Sequence, residues 1–174
     1  MTVRVLVACV GNIFRGDDGV GVEVAGRLLR RPLPGGVRVV DFGIRSVHLA
    51  YELLDGGYDV LVLVDAVAQQ TGPPGTLYVI EPDVSDAVLP QPDALPPVVM
   101  DPHDLSAGSA ALELVPSLGG AVDRVLVVGV QPGTVEDGIG LSDEVAGAVG
   151  PAADLVLEVV LRVQAEVEGR RTSC

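Results

Sequence analysis

Tryptophan is absent from this chain, and its 174 residues include only three Tyr and two Phe. That scarcity excludes the aromatic platforms on which single-stranded nucleic acids stack. Positive charge is scarce too: eleven Lys and Arg face 24 Asp and Glu, for a net charge of −13. Nucleic-acid binding needs clustered basic residues, so that class of partner is excluded as well. Two cysteines, Cys9 and Cys174, cannot build a disulfide framework or a zinc cluster. Cys9 lies in an apolar run and reads as a small buried side chain, and Cys174 ends the chain. Neither has the electropositive setting of a reactive thiol. No stretch reaches the roughly 18 uninterrupted apolar residues of a membrane span, so no membrane partner is expected. Met1-Thr2-Val3-Arg4 leads directly into a strand-like run without the layout of a signal peptide, which predicts a cytoplasmic protein.

What the chain does have is aliphatic bulk. Hydrophobic residues make up 48% of it and aromatics 3%, so the core must be built from Val, Leu and Ala. Val3 to Val10 reads as a buried strand, and Asp18 to Arg31 as a helix with a stripe of Val20, Val24 and Leu28. Pro32 to Gly36 stops that helix, and a short strand follows over Val37 to Asp41. Ser46 is placed to cap a helix through Leu54 that Gly56-Gly57 ends. Val60 to Val64 has the continuous β-branched character of a central strand covered on both faces. Further strands are expected over Thr76 to Ile80 and Arg124 to Val130, with a helix over Asp104 to Val115 between them. Ser142 can cap a C-terminal helical region, which Gly150-Pro151 should break, with Pro151 opening a long final helix. The alternation predicts an α/β three-layer sandwich: a largely parallel, twisted sheet of about five strands with helices on both faces. Residues 1–168 are expected to form a single α/β catalytic domain and 169–174 a disordered tail. Glu81 to Pro102 carries six prolines, an unusual loop for a small domain, and leads directly to His103.

The Gly-rich loop after the first strand matches neither G-x-G-x-x-G nor a P-loop, and adjacent acids there would oppose a phosphate. No nucleophile elbow and no H-E-x-x-H helix is present. Three residues instead stand where a parallel sheet places its ligands, beyond the carboxyl ends of strands. Asp18 follows the first strand, Asp65 ends the central one, and His103 precedes a helix. Carboxylate oxygens and an imidazole nitrogen suit a divalent first-row metal. Each residue also has a plainer reading: helix capping for Asp18, a strand-end turn for Asp65, a backbone-bonded loop histidine for His103. Asp17 reads as the capping or structural member of the acidic pair. Asn12 suits the turn after the first strand, and His48 sits inside an amphipathic helix with no site role.

Four segments, in order along nearly the whole chain, carry a family resemblance. They are Gly11-Asn12-Ile13 with Asp17-Asp18-Gly19; Leu63-Val64-Asp65-Ala66; Pro102-His103; and Val128-Gly129-Val130-x-Pro132 with Gly140-Leu141-Ser142. With these the chain resembles the hydrogenase maturation endopeptidases, which remove a C-terminal peptide from the large subunit precursor of nickel–iron hydrogenases. The resemblance implies a catalytic and nickel-contacting set of Asp18, Asp65 and His103, with nickel supplied by the substrate and zinc as an in vitro surrogate. The first position is Glu in many members and Asp18 here, one methylene shorter. It implies substrate contacts at Asn12, Gly43 and Arg45. The Gly43 turn reads Asp41-Phe42-Gly43-Ile44-Arg45 where many relatives have a Gly-Gly-Thr-like sequence. Arg15 and Arg45 follow strands one and two and face either the precursor or solvent. The implied partner is the hydrogenase large subunit precursor. Two other readings fit the same three ligands: a non-catalytic nickel- or precursor-binding chaperone, and a zinc-dependent small-peptide hydrolase that carries its own metal.

Overall fold

In a computed structural model the described residues are 2–68, 71–82 and 122–173. Their strands are β1 (Val5–Val10), β2 (Val37–Gly43), β3 (Val60–Ala66), β4 (Leu77–Ile80) and β5 (Arg124–Val130). The helices are α1 (Val20–Leu28), α2 (Ser46–Gly56) and α3 (Asp143–Thr172), and a 3-10 turn over Gly16–Gly19 precedes α1. One sheet holds all five strands in the order β2-β1-β3-β5-β4. Every pairing is parallel except that of the edge strand β4 with β5.

Every residue of β1 and β3 is buried, which is why both runs are uninterruptedly apolar up to Asp65. Alternation along the strands divides the core in two. Val5, Val7, Cys9, Val60, Val62 and Val64 face α1 and α3, whereas Leu6, Ala8, Leu61 and Leu63 pack with Leu49 and Leu53 of α2. The right-handed crossover rule accounts for the two layers. The chain steps from β1 outward to β2, then back past β1 to β3, so α1 and α2 must lie on opposite faces. The reversal opens a crevice at the carboxyl ends of β1 and β3, the topological switch point of such a sheet.

Gly21 sets how closely α1 sits on that crevice. A Cβ there would lie 2.0 Å from the Val10 carbonyl oxygen and 2.8 Å from that of Val64. Only glycine lets the first turn of α1 press onto the ends of β1 and β3 together. The 3-10 turn that carries Asp17 and Asp18 is thereby held above the switch point.

Four local expectations need correction. Asp18 lies in the 3-10 turn, so α1 begins at Val20 and not at Asp18. Arg45 occupies the N-cap position of α2, Ser46 is its first helical residue, and Gly57 ends it in the left-handed conformation (φ 59°). Pro151 does not break the C-terminal region: α3 runs unbroken across it. The ring sits on the solvent side and the residue four before it is Gly147, which is also exposed, so the missing hydrogen bond falls on the wet face. The buried stripe Val145, Ala148, Val149, Ala152, Ala153, Val156 continues past it, and its burial outweighs the local cost. Residues 169–172, expected in a disordered tail, are the last turn of α3, where Arg171 pairs with Asp59. The expected helix over Asp104 to Val115 and most of the Pro-rich segment lie outside the described residues.

Pro151→Ala should therefore stabilise the protein. It restores a helical N–H at an exposed site, against a smaller loss from a less restricted unfolded chain. Urea unfolding should show a gain of about 1–2 kcal/mol; an unchanged or lower midpoint would mean that α3 needs the proline to follow the sheet.

Candidate active site

Asp17 and Asp18 are neighbours with opposite surroundings. Asp17 is fully buried and accepts four hydrogen bonds: Oδ2 from the N–H of Gly133 (2.8 Å), the N–H of Thr134 (3.1 Å) and the Ser142 hydroxyl (2.9 Å), Oδ1 from the Ser142 N–H (2.6 Å). Burial alone would raise its pKa. The donors on Ser142, Gly133 and Thr134 outweigh that and hold the carboxyl below its ordinary value. Asp17 thus ties the turn after β1 to the loop between β5 and α3, the structural role its sequence context suggested.

Asp18 is buried against the crevice, and its Oδ2 accepts the Asn12 N–H at 3.0 Å. Burial raises its pKa, partly offset by that hydrogen bond and by the charge of Arg15. Asp65, at 2% exposure, is the penultimate residue of the fully buried β3. Its Oδ1 accepts the Ala66 N–H at 2.7 Å, while Oδ2 is buried with no hydrogen-bond partner among the described residues. Burial, and after it the negative charge of Asp18, push the Asp65 carboxyl well above the usual carboxylate range. The structure therefore brings Asp18 and Asp65 into one electrostatically coupled pair. His103 lies outside the described residues, and among those residues no group of three metal-ligating side chains forms.

The remaining candidates shape the loops. Asn12 closes an Asx turn, its Oδ1 accepting the Phe14 N–H at 3.0 Å. Gly43 has φ 53°, donates to Asp41 Oδ1 (2.9 Å) and accepts the Gly11 N–H (3.0 Å), so the loops after β1 and β2 are bonded to each other. Arg45 folds back on its own turn, donating to the carbonyls of Phe42 and Asp41. His48 is exposed on α2. Gln131, largely buried just after β5, is a polar residue at the carboxyl end of the sheet that the sequence reading left unnamed. Its position past a strand end was the signal for it.

The arrangement contains no conventional nucleophile among the described residues. Cys9 is wholly buried in β1, and burial, then Asp41 and Asp65, push its thiol far up. The Ser142 hydroxyl is spent on Asp17. Two coupled carboxylates, one with an unsatisfied oxygen, suit instead the binding of a hard or borderline cation.

Known proteins resemble this chain along most of its length. A family model described as hydrogenase maturation protease matches residues 22–159. Over 153 residues the chain is 31% identical to a putative hydrogenase maturation protease of Methanocaldococcus jannaschii, covering 88% of this chain and 94% of that one. It is 28% identical over 156 residues to the hydrogenase 2 maturation protease of Escherichia coli, covering 89% of each. Among solved structures, a hydrogenase 2 maturation peptidase from a Thaumarchaeota archaeon is 33% identical and superposes with a TM-score of 0.66, covering 90% of this chain and 97% of that one.

The two buried aspartates should respond to pH in opposite directions. Asp17 has a lowered pKa, so it stabilises the fold above the ordinary carboxylate pKa and loses that contribution as pH falls. Asp17→Ala should cost about 3 kcal/mol near neutrality, and less in acid. Asp65 has a raised pKa, so its burden grows as pH rises from the ordinary value toward the folded one. Asp65→Asn should raise the Tm by about 2–4 °C at pH 7.5, with the gain shrinking toward pH 4. Thermal unfolding across pH checks both, and parallel pH trends for the two variants would contradict these assignments.

Proposed function

The chain belongs to the hydrogenase maturation protease family, and on that premise we propose that it is an endopeptidase removing a C-terminal peptide from a nickel-loaded hydrogenase large subunit precursor in the cytoplasm. The observation that carries the reading is the pair Asp18–Asp65 at the β1/β3 switch point, with Asp65 Oδ2 unsatisfied. A cation carried in by the precursor supplies the positive charge that this oxygen lacks.

In this reading nickel is part of the substrate. Asp18 and Asp65 offer oxygens to it, and His103 offers a nitrogen. Ligation requires the carboxylates to be deprotonated, so docking of the metal-bearing precursor favours the ionised form of Asp65 against the pull of burial. The Asn12 N–H orients Asp18 and the Ala66 N–H orients Asp65, so the oxygens are aimed before substrate arrives. Hydrolysis adds water across the scissile peptide bond, with the cation as the Lewis acid that makes the addition feasible at neutral pH. Nothing in this scheme asks for a serine or a thiol. The site also verifies its substrate, because a precursor without nickel lacks the ion that the two aspartates hold. Zinc suits the same oxygen and nitrogen donors and serves as the surrogate metal. In this reading Asn12, Gly43 and Arg45, on the bonded loops after β1 and β2, contact the incoming precursor peptide.

The test is incubation with nickel-loaded and nickel-free precursor, followed by mass spectrometry of the product. The loaded form should be cut once near its C-terminus and the empty form left intact. Asp18→Asn, Asp65→Asn and His103→Ala should each lower cleavage by about a hundredfold or more while remaining folded. Cys9→Ala should process normally. Equal cleavage of both precursor forms would remove the nickel checkpoint, and release of small peptides without any precursor would point to the metal-carrying hydrolase instead.

A further inference from the structure

The loops that hold the carboxylate pair also display large apolar side chains to solvent. Phe14, after β1, is 62% exposed, Ile44, after β2, 69%, and Ile139, between β5 and α3, 83%. Phe14 is one of only two phenylalanines in the chain, and the other, Phe42, is buried. Scattered exposed aliphatics need no explanation, but these three crown the edge of the sheet that carries the site.

Their backbones are tied together. The Phe14 carbonyl accepts the Gly138 N–H at 2.9 Å, and the Gly138 carbonyl accepts the Gly16 N–H at 2.9 Å, so Phe14 and Ile139 stand on bonded strands of loop. The Phe14 N–H is committed to Asn12 Oδ1, and Asn12 in turn holds Asp18. Ile44 follows Gly43, whose carbonyl accepts the Gly11 N–H. The backbones that carry the apolar rim and Asp18 therefore belong to one hydrogen-bonded frame. A preordered aromatic anchor of this kind loses little entropy on binding, which is the physics of an interface hot spot.

From this we infer that Phe14, Ile139 and Ile44 form a docking rim for an apolar patch on the folded body of the large subunit precursor, separate from the metal contact. The inference rests on the function proposed above. Exposed side chains raised on a hydrogen-bonded backbone beside a crevice match a protein surface better than a small peptide, which would need a walled pocket. A second copy of this chain is disfavoured as occupant because both copies carry a net charge of −13 and repel. Because the rim touches the precursor's body, its contribution is independent of nickel, whereas that of Asp65 is not.

That difference defines the experiment. Affinities of purified nickel-loaded and nickel-free precursor are measured for the wild type, Phe14→Ser, Ile139→Ser, Asp65→Asn and the control Leu161→Ser, an exposed site on α3. Phe14→Ser and Ile139→Ser should each weaken both precursor forms by about tenfold or more and by the same factor. Asp65→Asn should weaken the loaded form alone, and Leu161→Ser neither. All substituted rim residues are exposed, so unchanged Tm values should accompany the loss. Affinities of Phe14→Ser and Ile139→Ser equal to that of Leu161→Ser, in a wild type that binds precursor, would overturn the rim and leave the protease reading standing. Loss of a dimer in Phe14→Ser with precursor affinity unchanged would assign the rim to self-association and overturn the inference. A wild type that binds neither precursor form would overturn both readings. Loss with Phe14→Ser but none with Asp65→Asn would support the rim and remove the nickel contact.

Discussion

A buried carboxylate oxygen with no donor among the described residues, Asp65 Oδ2, is the constraint on which the site depends. It sits at the end of the central strand, between β1 and β5, with aliphatic packing on both faces of the sheet. An unpaired buried charge is among the most destabilising features a fold can carry. The protein tolerates it by keeping the proton on Asp65 more firmly than usual and by burying an unbroken aliphatic core around it. A group left in that state binds a cation with little reorganisation, since the solvation it lacks is what a metal would restore.

The adjacent aspartates have opposite surroundings within one loop, and the proposed function assigns structure to one and chemistry to the other. Asp17 satisfies backbone groups of residues 133, 134 and 142, distant in sequence, and fastens the loop. The Asp18 carboxylate, by contrast, accepts one hydrogen bond among the described residues, from the Asn12 N–H. Had the pair exchanged roles, the fastening would have fallen to the residue nearer α1, and the ligand oxygen would have faced the β5–α3 loop. Gly21 completes the arrangement by letting α1 descend onto the carbonyls of Val10 and Val64. Tight backbone approach, more than side-chain bulk, brings the loop carboxylate to the strand carboxylate.

Rigidity then extends outward from the site. Hydrogen bonds from Gly11 to Gly43, Gly138 to Phe14 and Asp17 to Thr134 join the loops after three different strands into one frame. Movement in any of them would disturb the aspartates, so an interface built on this frame reads directly on the chemistry. The apolar side chains that the frame exposes are costly in water and are held where a protein partner approaching the crevice must meet them.

The strands β1, β3 and β5 were legible in the sequence because continuous Val and Leu runs have one stable destination, a sheet covered on both faces. The placement of Asp18 and Asp65 was legible for a related reason: both follow or close apolar strand runs, and the structure sets both at carboxyl ends of the parallel sheet. His103 was reached by the same reasoning, together with the family motifs, and lies outside the described residues. Helix ends and continuity were less legible. Pro151 is a local stop signal, yet the stripe from Val145 to Val163 binds the sheet on both sides of it, and that burial exists only in the folded molecule. The bonds of Asp17 to residues 133, 134 and 142, the unsatisfied state of Asp65 Oδ2 and the joining of Phe14 to Ile139 likewise depend on long-range placement. The sequence by itself determined the periodicities, the aliphatic core and the acids at strand ends, because these are properties of neighbours along the chain. Only the tertiary structure decided which acid is satisfied and which is left wanting, because a hydrogen-bond partner is settled by proximity in space.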